Sequence, residues 1–214
     1  MRSVVIGRLL FASITSIITV LAGGGPAFLL KPIGAGYMVL WITYWLVKAG
    51  RRRGEASSYD KKQRVVYLSG AIVIPMLVIA VPWEYANFTG PIPRDSAASW
   101  VGLTLFALGI VVLAAAMRTL GKLYTSYLGI QPGHRLVTTG PYRHVRHPGY
   151  LGEVLVMFGI GFSLSSVLGL ALAFLSLLLV LERIKPEEEM LTAEFGDEYR
   201  KYMGRTKRLI PFIY

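Results

Sequence analysis

Long apolar runs alternate with short polar segments along this chain. Residues from Val4 to about Ala22 are apolar with interspersed Ser and Thr, and about 20 such residues suffice for a helix to cross a ~30 Å hydrocarbon layer. The run ends at Gly23-Gly24-Gly25-Pro26, and a second span is expected from Ile33 to Val47, carrying Tyr37, Trp41, Tyr44 and Trp45. A third is expected from Val65 to Val81, with Pro75 inside it, and a fourth from Trp100 to Met117. From Leu151 to Leu181 only Glu153 is charged. One helix of that length would reach about 47 Å, beyond the bilayer, so the stretch predicts two spans in a hairpin turning near Ser163 to Ser166. After Pro186, Leu191, Phe195, Tyr199 and Tyr202 recur at helical spacing. Pro186 suits a first helical turn, and Glu187, Glu188 and Glu189 complement the positive end of a helix dipole. The expected fold is all-α: a polytopic membrane helix bundle of about six transmembrane helices, with a C-terminal cytoplasmic amphipathic helix and no Rossmann domain.

Composition agrees with this class. Of 214 residues, 54% are hydrophobic and only 16% charged, which argues against an ordinary soluble domain. Arg2 and Arg8 before the first apolar run resemble a signal peptide, but the later segments are equally apolar, so the run is read as a retained span. The formal charge of +11 could suggest nucleic acid. Its distribution says otherwise. With six spans and both termini cytoplasmic, all but Lys31 and Arg94 of the 23 lysines and arginines fall on the inner side, which topology explains without a nucleic-acid partner. The absence of cysteine excludes disulfides, thiolate metal sites and a Cys nucleophile. No phosphate-binding loop, dinucleotide fingerprint or H-E-x-x-H pair occurs; His144 and His147 lack acids at ligand spacing, so no metal site is expected. Asn87-Phe88-Thr89 is a glycosylation triplet of a kind common by chance.

Candidate chemistry gathers in Arg143-His144-Val145-Arg146-His147-Pro148-Gly149-Tyr150-Leu151-Gly152, where cations and hydrogen-bonding groups meet the start of the hairpin. Arg183 and the acids at 187–189 stand at the hairpin's other end. A hairpin would bring Tyr150 and Arg183 together and make one site of the two halves. The same residues could instead form a basic and acidic collar that pins helix ends to headgroups, in a non-catalytic membrane protein that binds lipid or a partner.

The ordered set His134-Arg-Leu-Val137, Thr139-Gly-Pro-Tyr-Arg143, Arg146-His-Pro-Gly-Tyr-Leu-Gly152 and Arg183-x-x-x-Glu187-Glu188 resembles the isoprenylcysteine carboxyl methyltransferase family. Phe195-Gly-Asp-Glu-Tyr199-x-x-Tyr202 and Thr206-x-Arg208-Leu209-x-Pro211 continue the likeness, which covers about residues 100 to 214. The resemblance implies an integral membrane enzyme that uses S-adenosylmethionine, with a cofactor set of His134, Leu136, Val137, Tyr142, His147, Pro148, Gly149, Tyr150 and Glu187. It implies Arg183 as the substrate-side arginine, with Arg146 counted as a second substrate contact or a donor to the cofactor's carboxylate. Tyr127 stands where some members carry a glutamine, so that role does not carry over.

The expected reaction is methylation of the carboxylate of a lipidated or amphipathic, prenylcysteine-like acceptor that enters laterally from the bilayer while the cofactor enters from the cytoplasm. A carboxylate needs no base, being ionised at neutral pH. Phospholipid (ethanolamine) N-methylation is the alternative; an ammonium must first lose a proton, and Glu188, His144 or Glu153 would be the base. The chain divides into N-terminal spans and a basic loop (1–64) and a methyltransferase core (65–214). That core comprises spans 65–81 and 100–117, a cofactor loop 118–149, the hairpin 150–183 and a C-terminal helix 187–203. A bacterial inner membrane and the endoplasmic reticulum both suit such a protein.

Overall fold

A computed structural model describes residues 2–49, 73–124, 129, 133 and 135–210. The basic run at 51–64, the first half of the expected third span, and both Tyr127 and His134 lie outside these. The described residues are helical, with only one isolated bridge, between Val145 and Lys207.

Helix α1 (Arg2–Ala22) ends at the glycine run, where Gly24 and Gly25 take φ of 104° and 71°, a region that favours glycine because it has no Cβ. A single short turn of helix, α2 (Pro26–Leu30), leads into α3 (Pro32–Ala49). The α1 and α3 helices run antiparallel. Arg8 Nη1 donates to the carbonyls of Lys48 and Ala49 at 3.4 and 3.1 Å, satisfying groups that a helix C-terminus leaves open.

Helix α4 (Val73–Asn87) has a π turn at Met76–Ala80. The cause is Pro82. It has no N–H to donate and its ring would press on the carbonyl four residues back, and widening the turn moves that carbonyl aside. The exit of α4 then caps another helix: Glu84 accepts from the backbone N–H groups of Val167 and Leu168 at 3.0 and 3.2 Å and from the Ser166 hydroxyl. Ser166 itself accepts from Gly169 N at 2.8 Å, so a distant carboxylate and a local hydroxyl share the N-terminus.

Helix α5 (Ala97–Leu120) packs antiparallel against α6 (Pro148–Ser163), which turns through residues 164–166 into α7 (Val167–Arg205). The hairpin thus turns where the sequence placed it. Glycines hold α5 and α6 together. A Cβ added to Gly109 would lie 2.7 Å from the Gly152 carbonyl, one on Gly152 would lie 2.8 Å from the Gly109 carbonyl, and one on Gly102 would strike the Ser163 backbone. The two backbones touch directly, as small residues allow between membrane helices.

One expectation requires correction. A separate helix starting at 187 is not found, because α7 runs through Pro186 without a stop. Ile184 and Glu188 are buried on one side of that proline, and the carbonyl it leaves without a donor belongs to Glu182, on the exposed side, where water can serve it. The break comes instead at Gly196, whose φ of 55° and ψ of −126° leave the helical region. Among the described residues, two helices, Ala97–Leu123 with its 3-10 extension and Val167–Arg205, are long and apolar enough to cross a membrane alone, and Ile6–Ala22, Val73–Asn87 and Pro148–Ser163 are shorter apolar helices.

The glycine seam yields a stability prediction. Gly109→Ala should lower the thermal midpoint in detergent, with a cost of about 1–3 kcal/mol from forcing the helices apart. Gly7→Ala, where an added Cβ meets nothing within 4 Å, should leave the midpoint unchanged or slightly raised. Tryptophan fluorescence on heating would show both.

Candidate active site

The loop before α6 is held from three sides. A 3-10 turn at Gly140–Arg143 begins at Gly140, whose φ is 59° and where a Cβ would press on the Thr119 hydroxyl at the end of α5. Tyr202 on α7 donates its hydroxyl to the Tyr142 carbonyl at 2.6 Å. The chain after α7 then runs alongside the loop, with Arg146 N donating to Lys207 O at 2.8 Å and His147 N to Arg208 O at 3.0 Å. His147 takes the N-cap position of α6 with φ −123° and ψ 57°, as the following proline disfavours helical geometry there.

Glu188 is the hub of this assembly. It accepts from Arg146 Nε at 2.6 Å and from Arg208 Nε at 2.9 Å, and His147 Nε2 lies 3.4 Å away without hydrogen-bond geometry. Arg146 also donates to the carbonyls of Met203 and Thr206, at 3.2 and 2.5 Å. Burial alone would raise the Glu188 carboxyl, but the neighbouring His147 imidazole and Arg146 guanidinium outweigh it and hold the pKa at about 2.

Against this frame lies a solvent-open cavity of about 130 Å³. Leu136, Val137, Tyr142, Arg146 and His147 line it from the loop, Gly149 and Tyr150 from α6, and Arg183 and Glu187 from α7. Nine residues expected from the sequence therefore meet around one space. Pro148, buried in the first turn of α6, and Glu188 stand outside the lining, and His134 lies outside the described residues. His144 is exposed and its Nε2 accepts from Arg143 Nε at 2.8 Å, away from the cavity.

The polar centre is a chain of three groups. Arg183 Nε donates to the Tyr150 hydroxyl at 2.6 Å, and that hydroxyl donates to Glu187 Oε2 at 2.6 Å. The His147 ring stacks on Tyr150 with centroids 5.6 Å apart, and its Nδ1 is 3.8 Å from Glu187 Oε1.

Sequence reasoning missed part of the wall. Tyr124 and Met190 line the cavity, as do Leu191, Phe195, Tyr199 and Tyr202, one face of the expected cytoplasmic amphipathic helix. Their helical spacing was the available signal, though it marks a buried face without saying what covers it. Burial pushes the Tyr199 phenol up, aided by the Glu188 charge, and pushes that of Tyr202 up to about 12, so both are neutral donors and not bases at physiological pH.

A second cavity, of about 290 Å³ and largely apolar, adjoins the first. Trp41, Tyr44, Trp45 and Lys48 of α3 and Leu77 of α4 form one wall, and α6 and α7 the other. Tyr150 and Arg183 belong to both cavities. Glu153, the lone charge of the hairpin, is paired here: it lies 2.5 Å from Lys48 Nζ and accepts from the Tyr44 hydroxyl at 2.7 Å.

Comparison with known proteins adds the lineage. A family model for phospholipid methyltransferases matches residues 97–198. A probable protein-S-isoprenylcysteine O-methyltransferase of Oryza sativa subsp. indica is 35% identical over 119 residues, 54% of this chain and 62% of that protein, so the match spans less than two thirds of the relative's length. Protein-S-isoprenylcysteine O-methyltransferase A of Arabidopsis thaliana is 32% identical over 150 residues, covering 69% of this chain and 68% of its own. The solved structure of a eukaryotic intramembrane Ras methyltransferase, isoprenylcysteine carboxyl methyltransferase, shares the fold with a TM-score of 0.61 at 22% identity, over 96% of this chain and 75% of that one. By the extent of the Arabidopsis match, the chain belongs to the isoprenylcysteine carboxyl methyltransferase family.

Proposed function

We propose that the chain is an integral membrane methyltransferase that transfers the methyl group of S-adenosylmethionine to the carboxylate of a lipidated or amphipathic, prenylcysteine-like acceptor. The observation that carries this reading is the meeting of a polar, solvent-open cavity with an apolar one at Tyr150 and Arg183. One space suits a water-soluble cofactor and the other a lipid chain.

S-adenosylmethionine supplies an electrophilic methyl on a sulfonium. The residues of the first cavity fit its other groups. Glu187 is an anion for the ammonium and His147 a donor for the carboxylate. Leu136, Val137, Leu191 and Phe195 provide apolar surface for the adenine, and Tyr142, Gly149 and Tyr150 complete the wall, with Pro148 fixing its start and His134 assigned by motif. Arg183 holds the acceptor carboxylate by a forked contact. With the cofactor bound, a carboxylate oxygen held by Arg183 would accept that methyl, the carbon–sulfur bonding pair would leave with sulfur, and no residue would be needed to move a proton. Charge is neutralised in the step, so the apolar surroundings favour it once binding has covered desolvation. Glu188, paired to two arginines, acts as a positioning residue for Arg146 and His147.

The phospholipid model match favours a second reading, N-methylation of a lipid amine. That reading needs a base. Glu188 is held at about 2 and paired with arginine, Glu153 is paired with Lys48, and His144 faces away from the cavity, which favours the carboxylate acceptor. For placement we propose six spans with both termini and the site on the cytoplasmic side, in a bacterial inner membrane or the endoplasmic reticulum. The support is the inward lysine and arginine tally and the outward apolar side chains Leu10, Ile17, Val39, Val111, Phe174 and Leu178.

Purified protein in lipid with methyl-labelled S-adenosylmethionine should label a prenylcysteine analogue, and base should release the label as methanol. Stable label in phosphatidylethanolamine would favour the amine reading, and absence of cofactor binding would overturn both. Glu187→Gln should weaken cofactor binding by about tenfold or more, as expected for losing a charged hydrogen-bond partner. Arg183→Ala should leave the cofactor Kd nearly unchanged and lower acceptor turnover by a similar or larger factor. Isothermal titration and initial rates separate the two.

The Glu188 carboxyl, depressed from an ordinary 4.5 to about 2, contributes stability that is present above pH 4.5 and lost as pH falls through 2. Glu188→Gln should therefore be less stable than the parent at neutral pH, and the gap should close on acidification across that window. Thermal midpoints in detergent against pH would show the convergence.

A further inference from the structure

The Tyr199 hydroxyl, in the wall of the first cavity, is buried and has no hydrogen-bond partner among the described residues. The residue is 1% exposed. Two other phenols of the same wall are satisfied: Tyr150 joins Arg183 to Glu187, and Tyr202 donates to the Tyr142 carbonyl at 2.6 Å. A buried hydroxyl without a partner is destabilising, and a phenylalanine would fill the same space without that penalty. Packing alone therefore does not account for a tyrosine here.

The fold fixes where this hydroxyl stands. Gly196 breaks α7 three residues earlier, and the bond from Tyr202 to Tyr142 ties the last turns of the helix to the loop before α6. Burial, and then the Glu188 charge, keep the proton on the phenol, with Arg146 acting in the opposite sense, so Tyr199 is a neutral donor beside that ion pair. A second orphan shares this corner. His147 is 5% exposed, and its Nε2, 3.4 Å from Glu188 Oε1, also lacks a hydrogen-bond partner. Two unpartnered groups, one from the N-cap of α6 and one from α7, thus flank the pair of Arg146 and Glu188 at the cavity wall. Donors converging from two elements suit an anion with two oxygens. In S-adenosylmethionine that group is the carboxylate, and the ammonium on the same carbon is left to Glu187.

We infer that the Tyr199 hydroxyl is a further cofactor-binding group, donating to the carboxylate of S-adenosylmethionine beside His147. This rests on the cofactor reading of the first cavity. Tyr199 is absent from the cofactor set that the sequence motifs imply, and it lies immediately beyond the segment matched by the phospholipid methyltransferase model, 97–198.

The test is a binding comparison by isothermal titration, using the full chain in lipid and two unreactive ligands. S-adenosylhomocysteine keeps the whole amino-acid end, whereas its decarboxylated analogue, 5′-(3-aminopropylthio)-5′-deoxyadenosine, keeps the ammonium and lacks the carboxylate. Tyr199→Phe should weaken binding of S-adenosylhomocysteine by about tenfold, the scale of one hydrogen bond to a charged group, and leave the Kd of the analogue unchanged. Without ligand, the thermal midpoint of Tyr199→Phe should equal or exceed that of the parent, because no bond is lost. Tyr202→Phe, which loses the bond to Tyr142, should instead lower it. If Tyr199→Phe does not fold, Tyr199→Leu supplies the same ligand comparison. Equal weakening for both ligands, or no weakening for either, overturns the assignment and leaves the methyltransferase reading intact. A lowered midpoint in ligand-free Tyr199→Phe overturns it too, since the hydroxyl would then serve the fold. A parent chain that binds neither ligand overturns the cofactor reading, and this proposal with it.

Discussion

Glu188 is the interaction on which the site depends. Arg146 comes from the loop before α6, Arg208 from the segment after α7, and Glu188 from α7 itself, so one carboxylate joins three pieces of chain. Burial alone would raise its pKa, but the neighbouring His147 imidazole and Arg146 guanidinium outweigh burial and lower it. Removing one partner of such a buried cluster leaves an uncompensated charge, a larger penalty than the net worth of the pair. The carboxylate therefore acts through geometry: it sets where Arg146 and His147 stand, and His147 in turn stacks on the tyrosine at the junction of the two cavities.

The second constraint is the glycine seam between α5 and α6. Because Gly109 and Gly152 bring the backbones into contact, the start of α6 is held against the end of α5. The loop that closes the first cavity must then fold back over α5, and Gly140 allows it by lying against Thr119. Packing in the apolar layer thus determines the shape of the polar layer. The hairpin performs the complementary task, with Glu84 capping α7 so that its far end returns Arg183 to Tyr150.

Much of this was legible in the chain. The triple glycine, the hairpin turn and the loop residues at 136–150 could be located from spacing and from ordered motifs, because turn chemistry and helix periodicity are local properties. Other features were not legible. Pro186 signals a helix start in sequence, yet burial of Ile184 and Glu188 on one side carries the helix through it. The stripe of Leu191, Phe195, Tyr199 and Tyr202 marked one face of an amphipathic helix without saying what covers it, and it lines the first cavity.

By itself the sequence determined the helical class, the hairpin and which residue types would meet the polar end of the bundle, since these follow from hydropathy, periodicity and short-range turn chemistry. Only the tertiary structure decided how those residues divide their roles. Adjacent in sequence, Glu187 and Glu188 point to different environments: the first borders the cavity, and the second is turned into a cluster of cations. Likewise Glu153 reads as an isolated acid until Lys48, 105 residues away, is set beside it. A charge's role depends on what faces it, and that is settled by packing between distant segments.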